Sequence, residues 1–318
     1  MRRAPLVTAL ALGAASCGAS VSGGGGDGGG GGAVDAGGGG GGGDGGGGGG
    51  PDATTLFGPW LTPPTPVPGA ATTTFSEDDA SLSTDERELI FARRPVGTGN
   101  KDLMVMRKDS AGAWGAPTLI AELDDPESNS TPRLSPDGLT LYFASNRAGG
   151  NGGAEDLWMS TRTSSTAPWT APTPMPLINS GGNDRWLAPC TSPVGSVFAS
   201  TRAGGQGGLD LYGLDAGGAP TNATALNSNA TDFGPWLSAD CTTLYFSSNR
   251  SGDYELYLAT RTAPGQPWNL VGVAPELVDP LDYTDPWRSA DGARLYLSIT
   301  KANNANDLDL YMTSRPPQ

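Results

Sequence analysis

Thr131-Pro-Arg-Leu-Ser-Pro-Asp137-Gly-Leu-Thr-Leu-Tyr-Phe-Ala-Ser-Asn-Arg147 is the stretch whose reading decides the fold, because the chain repeats it. Gly234-Pro-Trp-Leu-Ser-Ala-Asp240-Cys-Thr-Thr-Leu-Tyr-Phe-Ser-Ser-Asn-Arg250 and Asp285-Pro-Trp-Arg-Ser-Ala-Asp291-Gly-Ala-Arg-Leu-Tyr-Leu-Ser-Ile-Thr-Lys301 are two further copies. Asp79-Ala-Ser-Leu-Ser-Thr-Asp85-Glu-Arg-Glu-Leu-Ile-Phe-Ala-Arg93 is another, and Ala188-Pro-Cys-Thr-Ser-Pro-Val194-Gly-Ser-Val-Phe-Ala-Ser-Thr-Arg202 is a degenerate fifth. Positions 85, 137, 194, 240 and 291 correspond, at spacings of 52, 57, 46 and 51 residues.

Each copy carries the same internal order. A short run ends in a Pro-Asp-Gly type of turn, whose residues preset the turn dihedrals. An apolar, aromatic-rich strand follows, then a turn that is often rich in Gly, such as Ala148–Gly153. A third strand opens on an acid: Asp102, Asp156, Asp210, Glu255 and Asp309. A weaker segment with Trp and Pro, such as Trp169–Leu177, completes the unit. Four short strands at this period, with little helical periodicity, predict an all-β, five-bladed propeller of four-stranded blades.

The run Ser-Pro-Asp-Gly…Leu-Tyr-Phe-Ala-Ser-Asn-Arg…Asp-Leu-Trp resembles the WD40-like, TolB-type propeller repeat, also called PD40. The resemblance covers about residues 75–315. It implies a propeller whose relatives serve as scaffolds, transport accessories and, in some cases, enzymes.

The last copy ends after its third strand. Phe57-Gly-Pro-Trp60…Val67-Pro68 resembles the fourth-strand segment Pro168–Pro176, so the N-terminal segment is expected to supply the outer strand that closes the last blade. Closure leaves no long free edge. Phe57-Gly-Pro-Trp-Leu61 also repeats Phe233-Gly-Pro-Trp-Leu237, an inner-strand segment, which makes six blades the alternative.

Outward from the repeats lies a different kind of chain. Of the 318 residues, 50 are Gly, and 22 of these fall between Gly23 and Gly50. Such a segment has almost no side chains to bury, so residues 17–50 are expected to be a flexible tether spanning roughly 30 Å. Met1-Arg2-Arg3 and the small, apolar residues 4–16 read as a signal peptide, too short to span a bilayer. Ala14-Ala15-Ser16-Cys17-Gly18 resembles a bacterial lipobox, with Ala where Leu is usual, and implies lipidation of Cys17. Gly18 is not the Asp that this resemblance associates with inner-membrane retention, so an outer-membrane anchor, facing periplasm or surface, is expected. The propeller is assigned to residues 51–318.

Composition excludes several functions. A net charge of −14 argues against nucleic acid as a partner. The absence of His removes His-based acid–base and nucleophile systems and the usual zinc sites. No cofactor or metal is expected; calcium in the Gly-rich turns 149–156 and 204–210 is the alternative to turns that simply need positive φ.

A basic residue closes the second strand of every copy, at Arg93, Arg147, Arg202, Arg250 and Lys301. Catalysis needs a group once, whereas a blade-building group recurs in every blade. The bases and the third-strand acids are therefore read as structural, each base bonding the acid or a turn carbonyl of its own blade. Arg133, Trp236, Trp287 and Arg288 sit at matching or neighbouring inner-strand positions and form a candidate binding surface, since Trp and Arg dominate recognition hot spots. Cys190 and Cys241 lie in consecutive blades and are a candidate disulfide, with free buried thiols as the other reading.

The expected function is non-enzymatic: an envelope lipoprotein whose propeller scaffolds a protein partner, anchored to the membrane by lipid. Carbohydrate or cell-wall binding is the alternative, with glycoside hydrolysis by two of Asp79, Asp184, Asp232 and Asp285. Clustered exposed aromatics beside two acids near the channel would favour glycan; an apolar patch without such acids would favour a protein.

Overall fold

The second strand of each repeat, Leu-Tyr-Phe-Ala in its fullest form, is buried on both faces, and that fact organises the molecule. The computed structural model describes Trp60 and residues 63–97, 99–151, 155–274, 282–301 and 304–315. The leader, Cys17, the tether and Phe57-Gly-Pro lie outside the described residues.

Twenty strands form five four-stranded antiparallel sheets. Blade 1 comprises β2 (Phe75–Leu82), β3 (Glu88–Pro95), β4 (Asp102–Arg107) and β5 (Thr118–Leu119). Blade 2 comprises β6 (Asn129–Leu134), β7 (Thr140–Ser145), β8 (Asp156–Thr161) and β9 (Thr173–Pro174). Blade 3 comprises β10 (Asp184–Ala188), β11 (Val197–Ser200), β12 (Asp210–Leu214) and β13 (Pro220–Asn222). Blade 4 comprises β14 (Asp232–Leu237), β15 (Thr243–Ser248), β16 (Glu255–Thr260) and β17 (Asn269–Val273). Blade 5 holds β18 (Tyr283–Arg288), β19 (Arg294–Lys301) and β20 (Asn304–Ser314), and its outer strand is β1 (Thr65–Pro66). Thr65 pairs with Met312 and Pro66 with Tyr311, so the N-terminal segment closes the disc as expected and the blade count is five.

Side chains alternate between the faces of a strand, and here each face meets another blade. Leu141 and Phe143 of β7 pack with Ile90, Leu103 and Val105 of blade 1, while Tyr142 packs with Phe198 and Tyr212 of blade 3. Three further apolar clusters fill the remaining seams: blades 3 and 4 around Phe246, blades 4 and 5 around Tyr245, and blades 5 and 1 around Phe91. Each large side chain buried there is worth about 1.5–3 kcal/mol.

The first turn of four blades is closed by the same hydroxyl–carboxylate pair. Ser135 Oγ donates to Asp137 Oδ1 at 2.5 Å, and that oxygen also accepts the Leu139 N–H. Ser83–Asp85, Ser238–Asp240 and Ser289–Asp291 repeat it. Blade 3 has Val194 at this position. There Cys190 is bonded to Cys241, with Cα atoms 5.9 Å apart, which ties the degenerate turn to the corresponding turn of blade 4.

Of the two partners expected for the strand-closing bases, the turn carbonyl is found for the four arginines and the third-strand acid needs correction. Among the described residues only Lys301 meets its third-strand acid, Asp309, at 3.1 Å. The arginines turn instead to the first strand: Arg93 to Glu77, Arg147 to Asn129, Arg202 to Asp184 and Arg250 to Asp232, at 2.5–3.0 Å. They also donate to loop carbonyls at Gly69, Leu123, Ile178 and Leu226. Asp156, Asp210 and Glu255 lie opposite Ser145, Ser200 and Ser248, whose hydroxyls accept the arginine Nε–H while its Nη2 reaches the first strand. Asp156 and Asp210 bond the Gly-rich turn, accepting N–H groups from Asn151 and from Gln206 and Gly207. A Cβ on Gly150 or Gly205 would run into the Asp156 or Asp210 carboxylate, so this turn requires glycine.

The Cys190–Cys241 bond closes a loop of sequence separation 51. Cys190→Ser with Cys241→Ser is expected to lower the unfolding free energy by about 2–4 kcal/mol. Urea unfolding measures it, and alkylation of both cysteines in the native chain without reductant would show the bond to be absent.

Candidate binding site in the central channel

All five inner strands break register at one place: Asp78/Ser81, Ser130/Arg133, Arg185/Ala188, Phe233/Trp236 and Thr284/Trp287. The bulged residue has positive φ in every blade: Asp79 62°, Thr131 51°, Trp186 50°, Gly234 61° and Asp285 54°. Only one of the five is glycine. For Thr and Trp this region of backbone space is strained by about 1–3 kcal/mol.

Hydrogen bonds between blades hold the bulges. The Asp79 N–H donates to Ser298 Oγ, Thr131 N–H to Asp79 Oδ2 at 3.2 Å, Trp186 N–H to Thr131 Oγ1, and Asp285 N–H to Ser247 Oγ. The Trp186 indole N–H reaches Asp79 Oδ1 at 2.6 Å, a bond between the non-adjacent blades 1 and 3.

A charged cluster surrounds this ring. Lys101 pairs with Asp78 and lies 3.8 Å from Asp79. Burial pushes the Asp78 carboxyl up to about 7, with Lys101 opposing and Asp79 adding to the rise. Burial, then the charges of Asp79 and Asp78, pushes Asp285 well above the carboxylate range. Burial alone would lower the Lys101 ammonium, but Asp78 and Asp79 outweigh it and hold it above its ordinary value. Arg133, also buried, is lowered by desolvation against the pull of Asp79 and Asp285, and an arginine stays charged.

The channel has two unlike mouths. The upper one, where inner strands begin, opens on a 360 Å³ cavity over Thr131 and Trp186, walled by Arg94, Lys101, Glu155 and Arg185. Its charges are neutralised in pairs: Arg94 with Asp307, Lys101 with Asp78, Arg185 with Glu155. The lower mouth, where inner strands end, holds a cavity of about 110 Å³ lined by Arg133, Trp236, Trp287 and Arg288, with Leu82, Leu134 and Leu237. The four residues expected to form a binding surface thus come together around one cavity.

Of the four acids considered for hydrolysis, Asp79 and Asp285 share the bulge ring, near enough for the charge of Asp79 to raise Asp285, whereas Asp184 and Asp232 are held elsewhere. Asp184 accepts Ser200 Oγ and Arg202 on one oxygen and the Ser180 N–H and hydroxyl on the other. Asp232 is held alike by Arg250 and Ser228. Both Asp79 oxygens are bonded, as above. Asp285 Oδ1 alone lacks a hydrogen-bond partner among the described residues. None of the four lines either cavity. No group of three or more His, Cys, Asp or Glu among the described residues could hold a metal ion.

Sequence reasoning missed Lys101, Glu155 and Arg185. The signal for the first two was departure from the repeat: the residue before the third-strand acid is Leu209, Tyr254 or Leu308 elsewhere.

Solved structures of similar fold include an endo-arabinase from Bacteroides thetaiotaomicron VPI-5482, with TM-score 0.54 and 14% identity, covering 80% of this chain and 97% of that one. Zg3597, a family 117 glycoside hydrolase from Zobellia galactanivorans, gives 0.52 and 14%, with 79% and 89% covered. TolB from Acinetobacter baumannii gives 0.44 and 17%, covering 76% of this chain. The likeness is one of fold. The chain spans 55% of that TolB. No protein-family model and no curated protein matches the sequence.

The acid cluster sets a pH dependence. Asp285 and Asp78 bind protons in the folded state at pH values where the unfolded chain has released them. Their contribution to stability, shared by Glu77, is therefore fully present below about pH 4 and is lost as pH rises toward and through about 7. Asp285→Asn should flatten this slope and exceed the wild type in stability at pH 8. Denaturant melts across pH 4–8 check it, and parallel profiles would refute it.

Proposed function

We propose that this chain is a non-enzymatic envelope lipoprotein whose propeller acts as a scaffold for a protein partner. The observation that carries the reading is the contrast between the two residue sets. Arg133, Trp236, Trp287 and Arg288 share one cavity without a carboxylate in its lining, whereas Asp79, Asp184 and Asp232 are spent on hydrogen bonds within the fold. Aromatic and guanidinium groups clustered in a desolvated patch make a protein-recognition hot spot. Lipid at Cys17 would localise the disc, and the Gly-rich tether would give it reach.

Glycan binding with hydrolysis is the second reading, and two observations favour it. Asp285 and Asp78 are buried with raised pKa values, as a general acid requires. The fold is also shared with the endo-arabinase and with Zg3597.

Affinity capture with the full chain from envelope extract separates the two. A stoichiometric protein, with no reducing ends released from arabinan or cell-wall glycan, is expected. Retained glycan without protein, or sugar release abolished by Asp285→Asn, would replace the scaffold with a glycosidase. For the anchor, Cys17→Ser is expected to move the protein from the membrane to the soluble envelope fraction and to abolish palmitate labelling; unchanged fractionation would remove the lipid from the account.

A further inference from the structure

We propose that the lower mouth of the channel is a socket for one acidic side chain, presented by a partner segment in which basic residues flank it. The inference rests on the scaffold reading and specifies the partner's chemistry.

Arg133 supplies the first observation. It is 3% exposed and lines the cavity. Its Nη1 donates to the Ala80 carbonyl at 2.8 Å, but Nε and Nη2 have no hydrogen-bond partner among the described residues. No carboxylate among them lies within ion-pair distance of it. Buried guanidinium donors left unpaired are costly, and the Nε/Nη2 edge of a guanidinium matches a carboxylate in two-pronged fashion.

Size and lining narrow the occupant. The cavity's 110 Å³ falls below the about 300–1,000 Å³ of small-molecule sites, so it admits a side chain rather than a sugar ring. Trp236, Trp287, Leu134 and Leu237 would exclude water from the pair, and Arg288 adds a second positive charge. No acid among the described residues lines the cavity, in a chain of net charge −14.

The surrounding turns impose the opposite requirement on the flanking residues. Thr84, Pro136, Ala239 and Ala290 line the cavity, and each immediately precedes a turn aspartate: Asp85, Asp137, Asp240 or Asp291. The Ser83 and Ser289 hydroxyls hold Asp85 and Asp291 below the ordinary carboxylate range, so these groups are ionised at neutral pH. An all-acidic segment would be repelled at this rim. A Glu or Asp between Lys or Arg residues satisfies socket and rim together.

The test uses the full chain with ¹⁵N-labelled tryptophan and follows the Trp236 and Trp287 indole signals. Acetyl-Lys-Glu-Lys-amide is expected to shift both saturably, with acetyl-Lys-Gln-Lys-amide at least tenfold weaker. Acetyl-Ser-Glu-Ser-amide should bind a few-fold more weakly than the Lys peptide, and that advantage should vanish in high salt. Equal response to the Glu and Gln peptides would overturn the socket, and this comparison needs no variant to fold. Tri-galacturonate shifting the same signals more strongly than the peptide would overturn the protein source of the carboxylate. Arg133→Met, checked for its melting curve, should lose the Glu preference and the captured partner. A partner retained equally by Arg133→Met would sink the socket and leave the scaffold standing. A Glu-specific response with no captured partner would instead remove the scaffold.

Discussion

Asp79 is a single buried carboxylate on which three blades meet. One oxygen takes the backbone N–H of Thr131 in blade 2, and the other takes the indole N–H of Trp186 in blade 3. A hydrogen bond of this kind contributes about 0.5–1.5 kcal/mol net, and leaving its buried donor unpaired costs about 1–3 kcal/mol. These also determine where the Trp186 ring sits, which floors the upper cavity and packs against Phe233 of blade 4 at 4.9 Å between centroids. The position of one carboxylate thus fixes contacts reaching around most of the ring.

The bulges make this arrangement available. A regular strand would alternate its side chains and send each residue into a blade seam. A register break with positive φ interrupts the alternation and frees one residue per blade from seam packing. Where that residue is Gly234, the neighbouring Asp285 side chain takes the space: a Cβ there would come within 3.0 Å of Asp285 Oδ1. The positive φ is the same in all five blades, but the residue that carries it varies among Asp, Thr, Trp and Gly.

That division explains what could be read from the sequence. The seams are built by positions that recur, such as Leu141, Tyr142 and Phe143 with their equivalents, so fold, blade number and closing strand were legible. The lower mouth was legible as well, because Trp236, Trp287 and Arg133 share one repeat position. Pairing partners were not, since spacing does not reveal that Arg202 passes over Asp210 to reach Asp184. The upper site was hidden for another reason. Lys101 and Glu155 occupy a position that is Leu209, Tyr254 or Leu308 in the other blades, and a search for repetition discards such departures.

The two mouths then differ for a physical reason rather than by accident of composition. At the upper mouth each cation has an acid supplied by another strand, so Arg94–Asp307, Lys101–Asp78 and Arg185–Glu155 leave little net field for a ligand to exploit. At the lower mouth the acids were drawn into the turns, where Ser-x-Asp pairs shape the backbone and hold the carboxylates at the rim. Arg133 inside is left without an ion-pair partner among the described residues: the Asp79 oxygens are taken by Thr131 and Trp186, and burial raises the Asp285 carboxyl well above the range in which it would carry a charge. The same turn chemistry that lets the repeat fold therefore separates charge across the lower mouth, negative outside and positive within.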